Sequence, residues 1–242
     1  MAIDQITRLS IIIPVLNEAA TLTVALLALQ PLRAAGHEII VVDGGSHDAS
    51  LSLAEAWADQ VIRTERGRAR QMNAGATIAH HEVLLFLHAD TQLPPHADQL
   101  IIEGLQKSTR RPSHLHAHIW GRFDVQLSGK YFLLRVIECS MNWRSRLTGI
   151  ATGDQAIFIC RDLFQRVGGF PDIPLMEDIT LSRTLKRHGP PLCLQQRVIT
   201  SSRRWEQRGI VRTLLLMWRL RLAYALGTDP QRLAQLYEHS KP

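Results

Sequence analysis

Cysteine is scarce in this 242-residue chain: only Cys139, Cys160 and Cys193 occur, far apart. That leaves no metal-type ligand spacing and no even disulfide set. It fits a reducing cytosol in which each cysteine is a small core residue. A basic region leading into an apolar run is missing from residues 1–5, so no secretory signal is expected. No stretch approaches the ~18 uninterrupted apolar residues of a membrane span. Internal repeats and low-complexity tracts are absent too. Acidic residues are outnumbered, 22 against 28 Lys and Arg, leaving a net charge of +6. Such a balance favours anionic partners (nucleotide, phospholipid surface or nucleic acid) without choosing among them.

Two further absences concern the first strand. No G-x-G-x-x-G follows it; Pro14-Val15-Leu16-Asn17-Glu18 stands there instead, which argues against a dinucleotide site. The Gly-rich, Lys-bearing loop of nucleotidyltransferases is missing from the same place, which disfavours that alternative.

What is present is an alternation of strand and helix. Apolar strands are expected over residues 9–14, 37–42, 61–63 and 83–87. Helices are expected over residues 19–35 (with Thr21 as cap and Gly36 as stop), from 46–48 to about 58, from Gly67 past Gly75, and from Pro94-Pro95 onward. Residues 107–112 read as a basic loop. The second half reads as strand 119–127, helix 130–144, strand 156–160, helices 161–167 and 177–188, an edge strand 192–199 and a helix 209–227. This rhythm predicts an α/β fold with a mostly parallel, Rossmann-like sheet and helices on both faces. Its continuous apolar strands suit burial on both sides. The expected division is a catalytic domain over 1–206 and a helical segment over 207–242.

Carboxylates follow three of the strands. Asn17-Glu18 follows the first, Asp43-Gly44-Gly45-Ser46 the second and His88-Ala89-Asp90-Thr91 the third. Open α/β sheets bind ligands at the carboxyl ends of their strands, where an acid can accept hydrogen bonds from a ribose or a base edge. Glu18 alone is equally a helix-start charge, and Asp43 alone a turn former; together on adjacent strands they favour a site. Residues 66–71, rich in arginine at a helix start, suit a phosphate or form a solvated basic face. Strand periodicity would place His88 and Asp90 on one side, aimed at one cation. Magnesium and manganese bind through few protein ligands plus substrate phosphates, and an imidazole shifts preference toward manganese. Glu177-Asp178, on a loop entering a helix, reads as a general base or as helix capping. An anionic-surface binding module would leave these acids unexplained, since they repel phosphates without a cation; no nucleic-acid partner is expected.

Taken in order, Pro14-x-x-Asn17-Glu18, Val42-Asp43-Gly44-Gly45-Ser46, Asp48, the Gly67-to-Gly75 helix, His88-Ala89-Asp90 and Glu177-Asp178 resemble the landmarks of family 2 glycosyltransferases with a GT-A fold. The resemblance spans residues 9–205. It is nearest to a compact bacterial subgroup linked to radical-SAM and selenoprotein-associated gene sets. It implies an inverting transfer of a single sugar, a hexosyl group, from a nucleotide-sugar donor to the hydroxyl of a small-molecule or lipid-like acceptor. Pro14, Asn17, Glu18, Asp43, Gly45, Arg68, Asn73 and Ala89 would lie on the donor, with Arg68 toward its phosphates. Asp90, with His88, would hold Mn2+ or Mg2+. Asp178 would be the general base, with Glu177 beside it. Asp154, Arg204 and Trp205 would face the acceptor or diphosphate, the last two matching the end of a Gln-x-x-Arg-Trp motif.

Two departures stand out. His88 replaces the first acid of the family's Asp-x-Asp, and position 201 is serine where the Gln-x-x-Arg-Trp motif has glutamine. Downstream, residues 210–221 mix leucines with Arg212 and Arg219 on one face. That pattern suits an amphipathic helix lying on an anionic membrane or one packing back on the domain. The expected location is the cytoplasm, with a peripheral position on the inner face of the cell membrane in the first case.

Overall fold

A computed structural model describes residues 7–109 and 119–239. The first half alternates strictly: β1 (Leu9–Val15), α1 (Ala19–Ala34), β2 (Glu38–Asp43), α2 (Ser50–Trp57), β3 (Gln60–Arg63), α3 (Arg68–Ile78) and β4 (Val83–Phe86). Then come β5 (Thr91–Gln92), α4 (Ala97–Thr109), β6 (Trp120–Leu127), α5 (Phe132–Thr148), a 3-10 turn at Gly153–Gln155, β7 (Ile157–Cys160), α6 (Arg161–Arg166), α7 (Glu177–Leu185), β8 (Leu192–Thr200), α8 (Arg203–Arg208), α9 (Ile210–Ala225) and α10 (Pro230–His239). One sheet runs in the order β3-β2-β1-β4-β7-β6-β8-β5. All its strands share one direction except β7 and β5.

The apolar strands dictate this arrangement. Leu9, Ile11, Ile13 and Val15 of β1 point into a core shared with α1, α4 and α5, whereas Ile12 points into a second core under α3, α6 and α7. Alternate side chains leave a strand on opposite faces, so an unbroken β-branched run must be covered twice. Gly75 lets α3 approach the sheet closely, since a Cβ there would lie 2.6 Å from the Ile12 side chain. Gly36, at φ +89°, ends α1 as expected.

Several local expectations change. Thr21 lies inside α1, whose N-cap is Glu18; its hydroxyl reaches back to the Glu18 carboxylate at 3.1 Å. Lys107 belongs to α4, and residues 110–112 lie outside the described segments. β8 is not wholly an edge strand: β5 pairs with it at Thr91↔Thr200 and Gln92↔Ile199. Between β6 and β8 the register jumps from Phe123↔Leu194 to Asp124↔Arg197, so Gln195 and Gln196 bulge outward.

The second half of the sheet is held partly by buried charge. Arg122 is fully buried and pairs with Asp124, which also accepts two 2.8 Å hydrogen bonds from Arg146. Asn142 clasps the Val125 backbone in both directions at 2.9 and 3.0 Å. These contacts fasten α5 to β6 beside the register shift and satisfy the Val125 backbone groups there.

The helices after residue 206 pack on the body of the molecule. Leu220 and Leu233 share a small core with Met176 and Ile179, and Tyr224 is hydrogen-bonded to Thr180 of α7. Met176, immediately before Glu177, has a left-handed backbone with φ 71°. Among the described residues no helix is long and apolar enough to cross a membrane.

Candidate active site

The carboxyl ends of β1 and β2 form one clasped rim. Asp43, almost fully buried at the end of β2, accepts hydrogen bonds from the backbone N–H groups of Gly45 and Ser46 at 3.1 Å. Ser46 Oγ receives the Asn17 N–H at 2.9 Å, and Asn17 Oδ1 receives that of His47 at 2.8 Å. Asp48 accepts from Ala19 N and Ser50 N, joining the two loops again. Gly45, at φ +90°, makes this tight turn possible. Pro14 lies one residue short of the end of β1, paired with Val42. Glu18 stands at the N-terminus of α1, 3.7 Å from Arg203 of α8.

Gln71, of α3, had no role in the sequence reading, yet it knits this rim together. Its buried Nε2 donates to the carbonyls of Val15 and Val42, both at 2.8 Å. Val15 is the last residue of β1, and Val42 the last but one of β2. A glutamine one turn into a helix carries no sequence signal for such a bridge.

The start of α3 then leads to the acid pair. Arg68 Nη1 lies 3.5 Å from Glu177 Oε1. Burial works to lower the pKa of Arg68, but Glu177, Asp154 and Asp178 outweigh it and raise the value. Glu177 is buried, and desolvation together with the neighbouring Asp178 pushes its carboxyl above the ordinary range, against the pull of Arg68 and His88. Asp178 accepts the Gly153 N–H on Oδ2 at 3.0 Å and that of Ile179 on Oδ1 at 2.7 Å. Gly153 opens the 3-10 turn that carries Asp154, whose Oδ1 faces His88 Nδ1 at 3.4 Å. Burial would raise Asp154, but His88, Arg68 and Arg204 hold it well below the usual carboxylate range. Helix α3 thus links the two halves: Gln71 holds the strand ends beside Asp43, Arg68 meets Glu177, and Asp178 leads through Gly153 to Asp154 and His88.

His88, Ala89 and Asp90 do not continue β4, which ends at Phe86; they form a turn in which Thr91 N–H donates to the His88 carbonyl at 3.0 Å. Strand periodicity therefore does not aim His88 and Asp90 together. The His88 ring lies against Gly153, and its Nε2 is buried without a hydrogen-bond partner. Asp90 has one long contact, 3.4 Å from the Thr91 hydroxyl, and no ion pair among the described residues. No group of three His, Cys, Asp or Glu residues converges among the described residues. The fit is that of a divalent cation held by one protein carboxylate and completed by ligand phosphates, the sparing coordination usual for magnesium. Asp90 suits that part, whereas His88 is engaged with Asp154. Ala89 is buried behind the turn.

Two expected site residues take other positions. The Asn73 amide is engaged with the Phe170 backbone, donating to its carbonyl at 2.8 Å and accepting its N–H at 2.9 Å, so it ties α3 to a distant turn. Trp205 packs on the core beneath the sheet, whereas its neighbour Arg204 sits over the Tyr237 ring at 5.9 Å, within reach of Asp154's charge. Sequence reading also passed over Arg144. Its Nε and Nη2 are buried and unpartnered, and burial beside Arg221, with Asp178 opposing, pushes it down to about 10.

The raised Glu177 carboxyl has a consequence for stability. The folded chain holds that proton more tightly than the unfolded chain, so stability falls as pH rises from about 4.5 through the folded value. Glu177→Gln should remove this downward slope. Urea melts of both proteins between about pH 4.5 and 7 would check it; parallel slopes would show that Glu177 titrates normally.

The fold and rim define the class: an α/β fold of the GT-A type, with acids at the strand ends and a late acid pair. Residues 10–114 match the model of glycosyl transferase family 2. A PGL/p-HBAD biosynthesis glycosyltransferase of Mycobacterium bovis is 37% identical over 91 residues, 35% of this chain and 36% of that protein. An undecaprenyl-phosphate 4-deoxy-4-formamido-L-arabinose transferase of Pectobacterium atrosepticum is 35% identical over 112 residues, 42% of this chain and 34% of that protein. The chain thus spans about a third of the length of these curated relatives. In fold, it resembles S. aureus TarS 1-349 in complex with UDP-GlcNAc, with a TM-score of 0.62 at 17% identity, covering 80% of this chain and 58% of that one. It also resembles the mannosyltransferase PcManGT of Pyrobaculum calidifontis in complex with GDP-Man and Mn2+, with a TM-score of 0.61 at 20% identity, covering 98% and 71%.

Proposed function

We propose that the chain transfers a single sugar from a nucleotide-sugar donor to the hydroxyl of a small-molecule or lipid-like acceptor, with inversion at the anomeric carbon. The observation that carries this reading is that α3 serves both halves of the site: its Gln71 clasps the ends of β1 and β2, and its Arg68 reaches Glu177 of the acid pair. Pro14, Asn17, Glu18, Asp43 and Gly45 would cradle the nucleoside, where an acid clasped by backbone N–H groups has lone pairs left for ribose or base donors. Arg68, at the N-terminus of α3, would meet the diphosphate. Asp90 would hold a divalent cation, Mn2+ or Mg2+, shared with that diphosphate; when bound, it stabilises charge on the leaving group.

Asp178 would take the proton of the attacking hydroxyl as the new bond forms at the anomeric carbon and the bond to the diphosphate breaks on the opposite side. This is the role a carboxylate base plays in inverting glycosidases. Glu177, its carboxyl pushed above the ordinary range by burial and by Asp178, would stand beside the base. The relatives support a lipid-linked acceptor, since one is named for undecaprenyl phosphate. They also support a sugar nucleotide with manganese, since one neighbour is titled with GDP-Man and Mn2+.

Purified protein should release nucleoside diphosphate from a member of a UDP-, GDP- and dTDP-sugar panel, and turnover should rise with added Mn2+. Failure of every donor to bind in a thermal-shift screen, on folded protein, would end this reading.

A further inference from the structure

Two helices present exposed apolar stripes on the same flank of the molecule. On α9, Val211, Leu215, Trp218, Leu222 and Leu226 recur at steps of three and four residues, rising to 78% exposure at Leu226. On α5, Phe132, Val136, Trp143 and Leu147 share one face in the same way, with Phe132 79% exposed. Neither stripe is core: α5 buries Leu134, Ile137 and Met141 on its other side, and α9 buries Thr213 and Leu220. The starts of the two helices border one groove, between Phe132, Leu133, Ile210 and Val211.

Charge on the two helices themselves is basic outward, whereas Glu206 of α8 lines the groove between their starts and accepts the Ser202 hydroxyl at 2.7 Å. α9 contains no acidic residue, and the only acid of α5, Glu138, is buried and accepts the Leu127 N–H at 2.9 Å. Beside the α9 stripe, Arg208, Arg212 and Arg219 border a second groove lined by Leu215, Leu216 and Leu236. Arg208 Nη1 is buried there without a hydrogen-bond partner. Arg212 and Arg219 are exposed and have no acidic partner among the described residues.

We propose that α5 and α9 together form a platform that docks on an anionic lipid bilayer. The apolar stripes enter the interface and Arg208, Arg212 and Arg219 meet headgroup phosphates. The arginine rim favours this occupant over a second copy of the chain: a two-fold pairing through this face would set the same cations against each other. The platform deepens the lipid-linked acceptor reading and rests on it for its purpose. The inner side of α9 packs Leu220 against Met176 and Ile179, so the docked surface is fastened to the helix that carries Glu177 and Asp178.

Sedimentation of the full chain with phosphatidylcholine–phosphatidylglycerol vesicles, against pure phosphatidylcholine, tests this without donor or acceptor, so it fails independently of the transfer reaction. Anionic vesicles should bind about tenfold more tightly or better. Phe132→Ser/Trp143→Ser and Leu215→Ser/Trp218→Ser should each weaken binding by roughly tenfold, with unchanged thermal melts because all four side chains are exposed. Arg212→Gln/Arg219→Gln should remove the preference for anionic vesicles. Unchanged binding of the Phe132→Ser/Trp143→Ser protein would overturn the two-helix platform. So would a solution dimer that Leu215→Ser/Trp218→Ser dissolves, because a second copy would then cover the face.

Discussion

Replacing Asp178 by asparagine is expected to cut sugar transfer by about 10²–10⁴-fold while nucleotide affinity stays at its wild-type value. Asparagine preserves shape but cannot take a proton from the acceptor hydroxyl. Nucleotide affinity should hold because the Asp43 rim is built from β1, β2 and α3, with no hydrogen bond to Asp178. Both Asp178 oxygens accept backbone N–H groups, so the new amide NH2 must face one of them, at a cost of about 1–3 kcal/mol of stability. Turnover, nucleotide affinity and the melting curve should therefore be measured on the same preparation. Parallel loss of affinity and turnover in a folded variant would count against the base assignment.

Asp124→Asn should destabilise the fold by about 3–5 kcal/mol, the usual effect of stranding a buried charge. Arg122 has no exposure to water, and its Nε is already unpartnered, so Asp124 carries most of its compensation. Arg146, on the rim of the same network, would lose one of its two 2.8 Å bonds, where NH2 replaces a carboxylate oxygen, but it can turn to solvent. For a chain of this length the melting temperature should fall by on the order of 6–20 °C. A loss under about 1 kcal/mol in urea melts would mean that the Arg122 charge finds its compensation elsewhere.

The parts legible in the sequence were those written in short runs. β1, β2 and β4 announce themselves because strands covered on both faces need unbroken apolar side chains, and the acids that follow them mark the rim. The Glu177–Asp178 pair was visible as a helix start. What stayed hidden depends on partners far along the chain. β5 is two residues long and exists because Thr91 meets Thr200, their hydroxyls 3.0 Å apart. Asn73 looks like a donor contact until Phe170, 97 positions later, takes its amide. His88 and Asp90 resemble a strand-borne ligand pair, yet the chain turns at His88 and the imidazole meets Asp154 from a separate loop. Trp205 reads as part of a site motif, but the core beneath the sheet has room for its ring.

The left-handed residue before the acid pair has one more consequence. Methionine adopts that backbone reluctantly, and here its side chain is gripped by Leu220 and Leu233 from the last two helices. The turn that leads into both carboxylates is thus braced by the last two helices. Cutting the chain after Glu206 would release Met176 to relax, and the two acids would swing out of line with it.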